Sequence, residues 1–393
     1  MSEFKLNPAA FDVSDFVRND WQKRPRVIRQ AFLNFADPIS ADELAGVALE
    51  PGVDSRVISS KDGQWDLQHG PVEDYSYLPD QGWSLLVQAV NEHFPPAQAL
   101  IEPFRFLPDW RIDDLMVSYS TPGGGVGAHL DQYDVFIIQG QGRRRWQIGS
   151  PGDYTTITPH PDLKQIEGFT AELDEVLEPG DMIYIPAGFP HAGESLSECI
   201  NYSVGFRAPS QAELLSALAD YALDNDALER RFKDSVGDDN SNAKPAGWHL
   251  DENALQGFRQ LMRDALNDNK VLDEVICQLL SQNPRPPLLV WPETAVTESG
   301  VKRYLQRYPS LQRAVGLRML TTDVAGQRYG LVQGQRFELT DASSQQLFTL
   351  LLNTHLQIAT ASLLELNLSS AALQLLTQFI NEGFWFVETE EQA

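Results

Sequence analysis

The chain has 393 residues, of which 42% are hydrophobic and 22% charged, a composition typical of a globular protein of two or three domains rather than a disordered or collagen-like chain. Thirty Lys and Arg stand against 55 Asp and Glu, which gives a formal net charge of -25. Because nucleic-acid binding needs basic side chains that neutralise phosphates, this charge argues against direct binding of DNA or RNA and favours a basic partner.

The sequence gives no sign of an oxidising compartment or a membrane. The two cysteines, Cys199 and Cys277, lie in apolar runs and do not suggest a disulfide framework. The first residues lack the basic-then-apolar pattern of a signal peptide, and no window contains 18 consecutive apolar residues. We therefore expect a cytoplasmic protein without a transmembrane segment.

In the first half of the chain, a mixed sequence pattern is followed by a series of short β-rich runs. Apolar residues at helical spacing predict an amphipathic helix over Trp83–Phe94. From Ile112 to Phe206, short β-rich runs alternate with Gly and Pro, which is typical of a sandwich or a barrel. These runs are IDDLMVSYS, YDVFIIQ, RRRWQIG, MIYIP and INYSVGF.

Helical patterns dominate the middle of the chain. Ser210 and Glu213 form a capping-box pattern, so a helix is predicted to begin there. ENALQGFRQLMRDAL and VLDEVICQLLSQ predict two further helices. The closely spaced prolines of residues 283–289 stop the helical pattern and indicate a boundary.

The last hundred residues alternate between helix and strand. RYGLVQGQRFEL predicts a hairpin that turns near Gly334, and Thr340 or Asp341 is placed to cap the next helix. This order of helix, hairpin and helix is similar to a winged-helix module. No Lys or Arg follows Arg336, so DNA binding through this part is not expected.

Two spaced motifs predict a metal site. In TPGGGVGAHLDQYDVF, a G-x5-H spacing ends at His129, and Asp131 shares its face if the segment is extended. In EPGDMIYIPAGFPH, a G-x5-P-x-G-x2-H spacing ends at His191. Both half-motifs resemble those of cupin barrels, although Asp131 stands where metal cupins usually carry a second His. Two His and one carboxylate form the facial triad of non-haem Fe(II) oxygenases, which leaves open positions for a 2-oxo acid and O2.

A 2-oxo acid also needs a cation for its distal carboxylate. In RRRWQIG, alternation places Arg144 on the inward face of Trp146 and Ile148, while Arg143 and Arg145 point to solvent. An inward Arg is costly unless it is paired, and a ligand carboxylate is a natural partner. The alternative at this point is a structural salt bridge with a protein acid.

Two polar residues on neighbouring β-runs are further candidates for binding the same ligand. Ser118 could offer its hydroxyl. Asn201 shares one face of its run with Ser203, opposite Ile200 and Tyr202. Because a polar face is more often turned to solvent than to a ligand, the pattern alone argues against Asn201, which we keep as a candidate co-substrate contact.

Longer stretches carry a resemblance to one family. DDLMVSYSTPGGGVGAHLDQYDVFIIQGQGRRRW, EPGDMIYIPAGFPH, NYSVGFRAP and the early WQKRPRVIRQAF closely resemble the bacterial JmjC-type ribosomal oxygenases, in particular those that hydroxylate an arginine of a large-subunit ribosomal protein. The similarity is dense over residues 15–210 and looser after that. The iron motifs alone would suit any JmjC enzyme, and the long similar stretches narrow the choice.

The resemblance implies a reaction and roles for individual residues. His129, Asp131 and His191 would ligate Fe(II), Arg144 would pair with the distal carboxylate of 2-oxoglutarate, and Ser118 would hydrogen-bond it. With O2 as the oxidant, the family reaction hydroxylates an arginine side chain at its β-carbon and releases succinate and CO2. The charge of -25 suits a basic ribosomal protein as the partner.

The same resemblance implies an α+β architecture of three parts. A double-stranded β-helix (jelly-roll, cupin/JmjC) catalytic domain would span residues 1–208, a helical dimerisation region residues 209–285, and a winged-helix-like domain residues 286–393. We therefore expect a homodimer.

Two other functions remain open on sequence grounds. One is a JmjC oxygenase or demethylase of another basic protein, because hydroxylation and demethylation share their iron chemistry and differ in which C–H bond lies near the metal. The other is a non-catalytic cupin-like binding module. That module would be expected to lack an intact ligand set and to carry a basic recognition helix, and the sequence has neither feature.

Overall fold

The computed structural model describes residues 4–233, 248–354 and 356–387. The chain divides into two compact units, residues 1–208 and 209–393, and each is described by itself. No helix within the described ranges is long and apolar enough to cross a bilayer. The further division of the second unit after residue 285 stays a prediction.

The first unit is built mainly from strands. Its helices are α1 (Val13–Asn19), α2 (Ala41–Val47), α3 (Val90–His93) and α4 (Pro95–Gln98). Its strands are β1 (Arg26–Ile28), β2 (Ser55–Lys61), β3 (Gln64–His69), β4 (Trp83–Val87), β5 (Ile112–Ser120), β6 (Asp134–Gln139), β7 (Arg144–Ile148), β8 (Thr155–His160), β9 (Leu163–Glu167), β10 (Leu173–Leu177), β11 (Met182–Ile185), β12 (His191–Ser195) and β13 (Cys199–Phe206). All five predicted β-runs form strands.

Two antiparallel sheets enclose the interior of this unit. The larger has the strand order β1-β11-β6-β13-β5-β4-β2-β3, and the smaller has the order β10-β7-β12. Strands β8 and β9 form a separate hairpin. Side chains from both sheets line one internal cavity, so the sheets face each other as in a jelly roll. The predicted double-stranded β-helix is confirmed.

The other face of the large sheet carries an aromatic core. Phe136 of β6 lies 4.9 Å from Tyr184 and 5.0 Å from Phe104, measured between ring centroids. Phe16 from α1 meets Tyr184 edge to face at 4.9 Å. Burial of large rings in such offset and edge contacts is a major source of stability. This core fixes the sheet whose opposite face forms the cavity.

The helix predicted over Trp83–Phe94 is wrong in its first half. The residues to Val87 form β4, which pairs with β2 on one side and β5 on the other. A central strand buried on both faces is a continuous apolar run, and such a run cannot be told from a buried helix by periodicity. Ala89, with a φ of 51°, ends the extended segment before the short helix α3.

The second unit combines helices with two small sheets. Its helices are α5 (Gln211–Asp224), α6 (Glu252–Ala265), α7 (Asn269–Ser281), α8 (Val301–Arg307), α9 (Ala342–Leu352), α10 (Thr360–Glu365) and α11 (Ser370–Asn381). Its strands are β14 (Ser310–Arg313), β15 (Met319–Val324), β16 (Gln327–Val332), β17 (Gln335–Glu338), β18 (Gln357–Ala359) and β19 (Trp385–Phe386). The three predicted helices of the middle region are present, and the first begins at the Ser210 capping box.

The predicted hairpin and cap of the C-terminal part are also present. Strands β16 and β17 turn at Gly334, whose φ of 80° suits glycine. The Asp341 side chain, rather than Thr340, caps α9 by accepting from the Ser344 backbone N–H at 2.7 Å. Gly330 packs against the Phe348 ring, where a Cβ would stand 2.3 Å from a ring carbon.

Candidate active site

His129, Asp131 and His191 meet at one end of the cavity. The two histidines form an antiparallel bridge in which each backbone N–H donates to the other's carbonyl oxygen at 3.0 Å. The Asp131 Oδ2 lies 3.7 Å from His129 Nε2 and 3.6 Å from His191 Nε2. The three possible ligand atoms lie within 4.8 Å of one another. The two half-motifs, sixty residues apart in sequence, therefore form one site.

Backbone carbonyl groups fix both imidazole rings. His129 Nδ1 lies 3.0 Å from the Gly127 carbonyl oxygen, and His191 Nδ1 lies 2.9 Å from that of Phe189. Only a protonated Nδ1 can donate to a carbonyl oxygen, so the Nε2 lone pairs are directed at the site. Burial lowers the pKa of His191, and the neighbouring His129 lowers it further. His191 is therefore neutral at neutral pH, as a metal ligand must be.

Glycines in the two motifs form the turns that bring the ligands together. Gly127 has a φ of 79°, and a Cβ there would lie 2.2 Å from the Gln165 amide nitrogen. Gly188 has a φ of 80°, and its N–H donates to the Asp131 carbonyl oxygen at 2.8 Å. These positions favour glycine because other residues rarely adopt a positive φ. The spacing of the motifs thus has a backbone cause.

The donor set fits Fe(II). Within the described ranges, His129, Asp131 and His191 form the one group of three His, Cys, Asp or Glu residues that could hold a metal ion. Two imidazoles and a carboxylate on one side of an ion match the facial triad of non-haem iron oxygenases. The hydrogen bonds from each Nδ1 supply the outer support that metal-binding histidines usually have.

Arg144 projects from β7 into the interior, as alternation predicts. Its side chain is buried, and its Nη atoms donate to Ser120 Oγ, Asn201 Oδ1 and the Gly193 carbonyl oxygen, each at 3.2 Å. Its guanidinium carbon lies 5.2 Å from the centre of the Trp146 ring. By contrast, Arg145 points outward and pairs with Asp174 at 2.7 Å.

Among the described residues, no carboxylate neutralises the Arg144 guanidinium. Its Nε also has no hydrogen-bond partner in this part of the chain. Burial lowers the pKa of this guanidinium. A structural salt bridge, the alternative left open by the sequence, is therefore not found in the part of the chain described. An acidic ligand would satisfy both the charge and the orphaned N–H.

Ser118 and Asn201 are direct neighbours across strands β5 and β13 and line the same cavity. The face of β13 that carries Asn201 is turned to this cavity and not to solvent, so the pattern-based argument against Asn201 is wrong. A polar face can meet an internal cavity when the strand is buried on both sides. Ser120, which sequence reasoning missed, bonds Arg144, and period two from Ser118 could have indicated it.

The cavity has a volume of about 280 Å³ and connects the metal ligands with Arg144. The lining residues that sequence reasoning missed include Asp113, Asp114 and Tyr133; Asp114 lies four residues before Ser118 on β5, and Tyr133 lies two residues after Asp131. Burial raises the pKa of Tyr133, and the Asp131 and Asp114 carboxylates raise it further, so its phenol keeps its proton. Other lining residues include Met116, Val135, Ile137, Trp146 and Ser203.

Comparisons with known proteins agree with this site. Residues 99–214 match the family model of the JmjC domain. The chain is 42% identical to the Escherichia coli ribosomal protein uL16 3-hydroxylase over 95% of its own length and 97% of that protein. It is 32% identical to a probable ribosomal oxygenase of Haemophilus influenzae over 68% of its own length and 67% of that protein.

Solved structures show the same similarity. The crystal structure of E. coli YcfD superimposes with a TM-score of 0.85 at 40% identity and covers 98% of this chain and 100% of that one. The complex of YcfD, a ribosomal oxygenase, with cobalt and 2-oxoglutarate superimposes with a TM-score of 0.82 at 38% identity, with the same shares of the two chains.

Proposed function

Because the chain belongs to the JmjC-type ribosomal oxygenases, we propose that it hydroxylates the β-carbon of an arginine in a large-subunit ribosomal protein, the counterpart of uL16, with Fe(II), 2-oxoglutarate and O2. The observation that carries this proposal is one cavity that joins an intact His-Asp-His set to a buried arginine without a described acidic partner. The products would be the hydroxylated protein, succinate and CO2.

His129, Asp131 and His191 would hold the iron. When bound, Fe(II) supplies the oxidative decarboxylation of the 2-oxo acid and the transfer of one oxygen atom to a C–H bond. The protein's part is to orient both imidazoles, which the Gly127 and Phe189 carbonyl groups do, while burial lowers the pKa of His191 and keeps that ring neutral.

Arg144 would pair with the distal carboxylate of 2-oxoglutarate. Such a pair supplies the negative charge that no described carboxylate brings to this guanidinium. Ser118 and Asn201, adjacent on the facing sheet, would add hydrogen bonds to the same ligand.

The substrate arginine would enter beside Asp113 and Asp114, two acidic residues of the cavity lining, because a guanidinium donates readily to carboxylates. The same lining also carries the basic side chains of Arg56 and Lys164. The net charge of -25 would also speed the encounter with a basic ribosomal protein. Such a reaction would take place in the cytoplasm, and it needs no direct contact with nucleic acid.

A homodimer is the form that the second unit supports. Helix α6 has no buried residue, and Phe258, Met262 and Leu266 form an exposed apolar stripe at intervals of four residues. Leu215 and Leu223 on α5 are also more than half exposed. A second copy would remove this surface from water.

Met262→Glu is expected to give a monomer in analytical ultracentrifugation, whereas Gln260→Glu, on the other side of α6, should stay dimeric. A monomeric wild type would contradict the proposal.

Mass spectrometry tests the proposed reaction. Unmodified large-subunit proteins are incubated with the enzyme, Fe(II), 2-oxoglutarate and air, beside a His129→Ala control. We expect one added oxygen atom on one arginine of one protein, absent with the control. Succinate without added oxygen would point to another substrate. Loss of a methyl group would indicate a demethylase, and neither oxygen nor succinate would favour a binding module.

A further inference from the structure

Gln139 is a buried amide at the end of β6, directly opposite Asn201 on β13. It does not line the cavity. Its Nε2 donates to two backbone carbonyl oxygens, that of Gln141 at 3.0 Å and that of Ile200 at 3.3 Å. The reversed amide would place its oxygen against both carbonyl oxygens. The backbone therefore selects one orientation, in which the Gln139 oxygen faces Asn201.

The orientation of Gln139 determines that of Asn201. Asn201 Nδ2 donates to Gln139 Oε1 at 2.7 Å, so Asn201 Oδ1 is turned to the other side. There it accepts from Arg144 Nη1 at 3.2 Å, and the Cys199 thiol lies 3.6 Å away. With the Asn201 amide reversed, oxygen would meet oxygen at Gln139 and an N–H would meet the guanidinium. Both contacts would be repulsive in a buried site.

We propose that Gln139 is a positioning residue for the 2-oxoglutarate site, because it presents the Asn201 oxygen to Arg144 and so fixes the guanidinium that receives the ligand carboxylate. The inference rests on the proposed function, which assigns Arg144 to that carboxylate. Arg144 donates to three protein acceptors, and two of these, Ser120 and Asn201, are side chains. Of the two, only Asn201 is held by the Gln139 amide, whose own orientation the backbone selects. Without Gln139, Asn201 could turn its N–H groups toward Arg144 and displace it.

Gln139→Met tests this role, since methionine has a similar volume and no amide. The dissociation constant of 2-oxoglutarate is measured by titration calorimetry on Co(II)-loaded protein, together with KM and kcat on the Fe(II) enzyme. We expect the dissociation constant and KM to rise about five- to tenfold, the cost of one buried hydrogen bond, and kcat to change less than about twofold. Tyr202→Phe, which removes the hydrogen bonds from the Tyr202 hydroxyl to Asp37 and Ile39 on the opposite face of β13, should leave all three values unchanged.

A double-mutant cycle separates positioning from general loosening of the fold. In an Asn201→Ala background, Gln139→Met should cause no further loss of 2-oxoglutarate affinity, because the residue it acts through is gone. Equal losses with and without Asn201 would overturn the proposal, as would wild-type affinity in Gln139→Met. If Gln139→Met does not fold, Gln139→Asn replaces it, since the shorter amide keeps the site polar but withdraws the oxygen from Asn201. It too should bind 2-oxoglutarate more weakly, and unchanged affinity would overturn the role.

The proposed function fails in a different way. Wild-type protein loaded with Co(II) that binds no 2-oxoglutarate would overturn the function and the role of Gln139 together. If the wild type binds 2-oxoglutarate and Gln139→Met binds it equally well, only the role of Gln139 is overturned.

Discussion

Strand β13 has two faces that are both buried and differ in chemistry. On one face Ile200, Tyr202, Val204 and Phe206 pack into the aromatic core. On the other, Asn201, Ser203 and Gly205 line the cavity. All eight residues of the strand are buried, so exposure does not distinguish the faces. Alternate side chains of one strand therefore have different roles: one set stabilises the aromatic core, and the other set lines the ligand cavity.

Variants on the two faces should therefore fail in different ways. A change on the cavity face should lower activity while the protein stays folded. A change on the core face should lower the free energy of unfolding while the kinetics of the folded fraction stay the same. The following four predictions test this separation with residues of the cavity, Asp131 and Arg144, and residues of the aromatic core, Phe136 and Tyr202.

Asp131→Ala should have the largest effect. The variant loses the single anionic ligand of the triad, so we expect 2-oxoglutarate turnover to fall by about three orders of magnitude or more. The melting temperature of the metal-free protein, measured by circular dichroism, should stay close to that of the metal-free wild type. Turnover within tenfold of the wild type would mean that the metal lies elsewhere.

Phe136→Ala should destabilise the first unit by about 3–5 kcal/mol, because it removes a ring that contacts several other aromatic rings in the core. Urea unfolding followed by fluorescence measures this change. In the fraction that remains folded, KM for 2-oxoglutarate should match the wild type. A tenfold change in KM would show that the two faces are coupled.

Arg144→Met should raise KM for 2-oxoglutarate about 100-fold, since it leaves the ligand carboxylate without its counter-charge. Stability should change little or rise, because the variant removes a buried charge that has no described acidic partner. Arg145→Met, which affects an outward arginine on the same strand, is the matched control and should keep the wild-type KM. Equal KM values for the two variants would place the carboxylate elsewhere.

Tyr202→Phe should have the smallest effect. It removes the hydrogen bond from the Tyr202 hydroxyl to Asp37 Oδ1, 2.9 Å long, and we expect a loss of about 1 kcal/mol of unfolding free energy. Asp37 is exposed and its Oδ1 keeps the Gln141 backbone N–H as a donor at 3.2 Å, so the loss should stay small. Any change in KM beyond about twofold would argue against the independence of the two faces.

Much of the site could be predicted because spacing and alternation are local properties. The glycines around His129 and His191 mark turns, and alternation along β7 separates Arg144 from Arg145. The β-strand at Trp83 could not be predicted, because a strand buried on both faces has no alternation to detect. The direction of Asn201 depended on which side of the sheet held a cavity, and that is a tertiary property. Asp114 shares the cavity face of β5 with Ser118 at a period of two, and Tyr133 follows Asp131 by two residues, so local spacing could have indicated both.

The hydrogen bonds at Nδ1 of the two histidines have a consequence for metal exchange. Because main-chain carbonyl groups hold each ring, the ligands do not rely on the ion for their arrangement. Binding then costs little conformational entropy, and the ion's own release of water limits the rate of loading. Iron removed by a chelator should therefore return without refolding, and competing divalent ions should enter the same site at rates that follow their own loss of water.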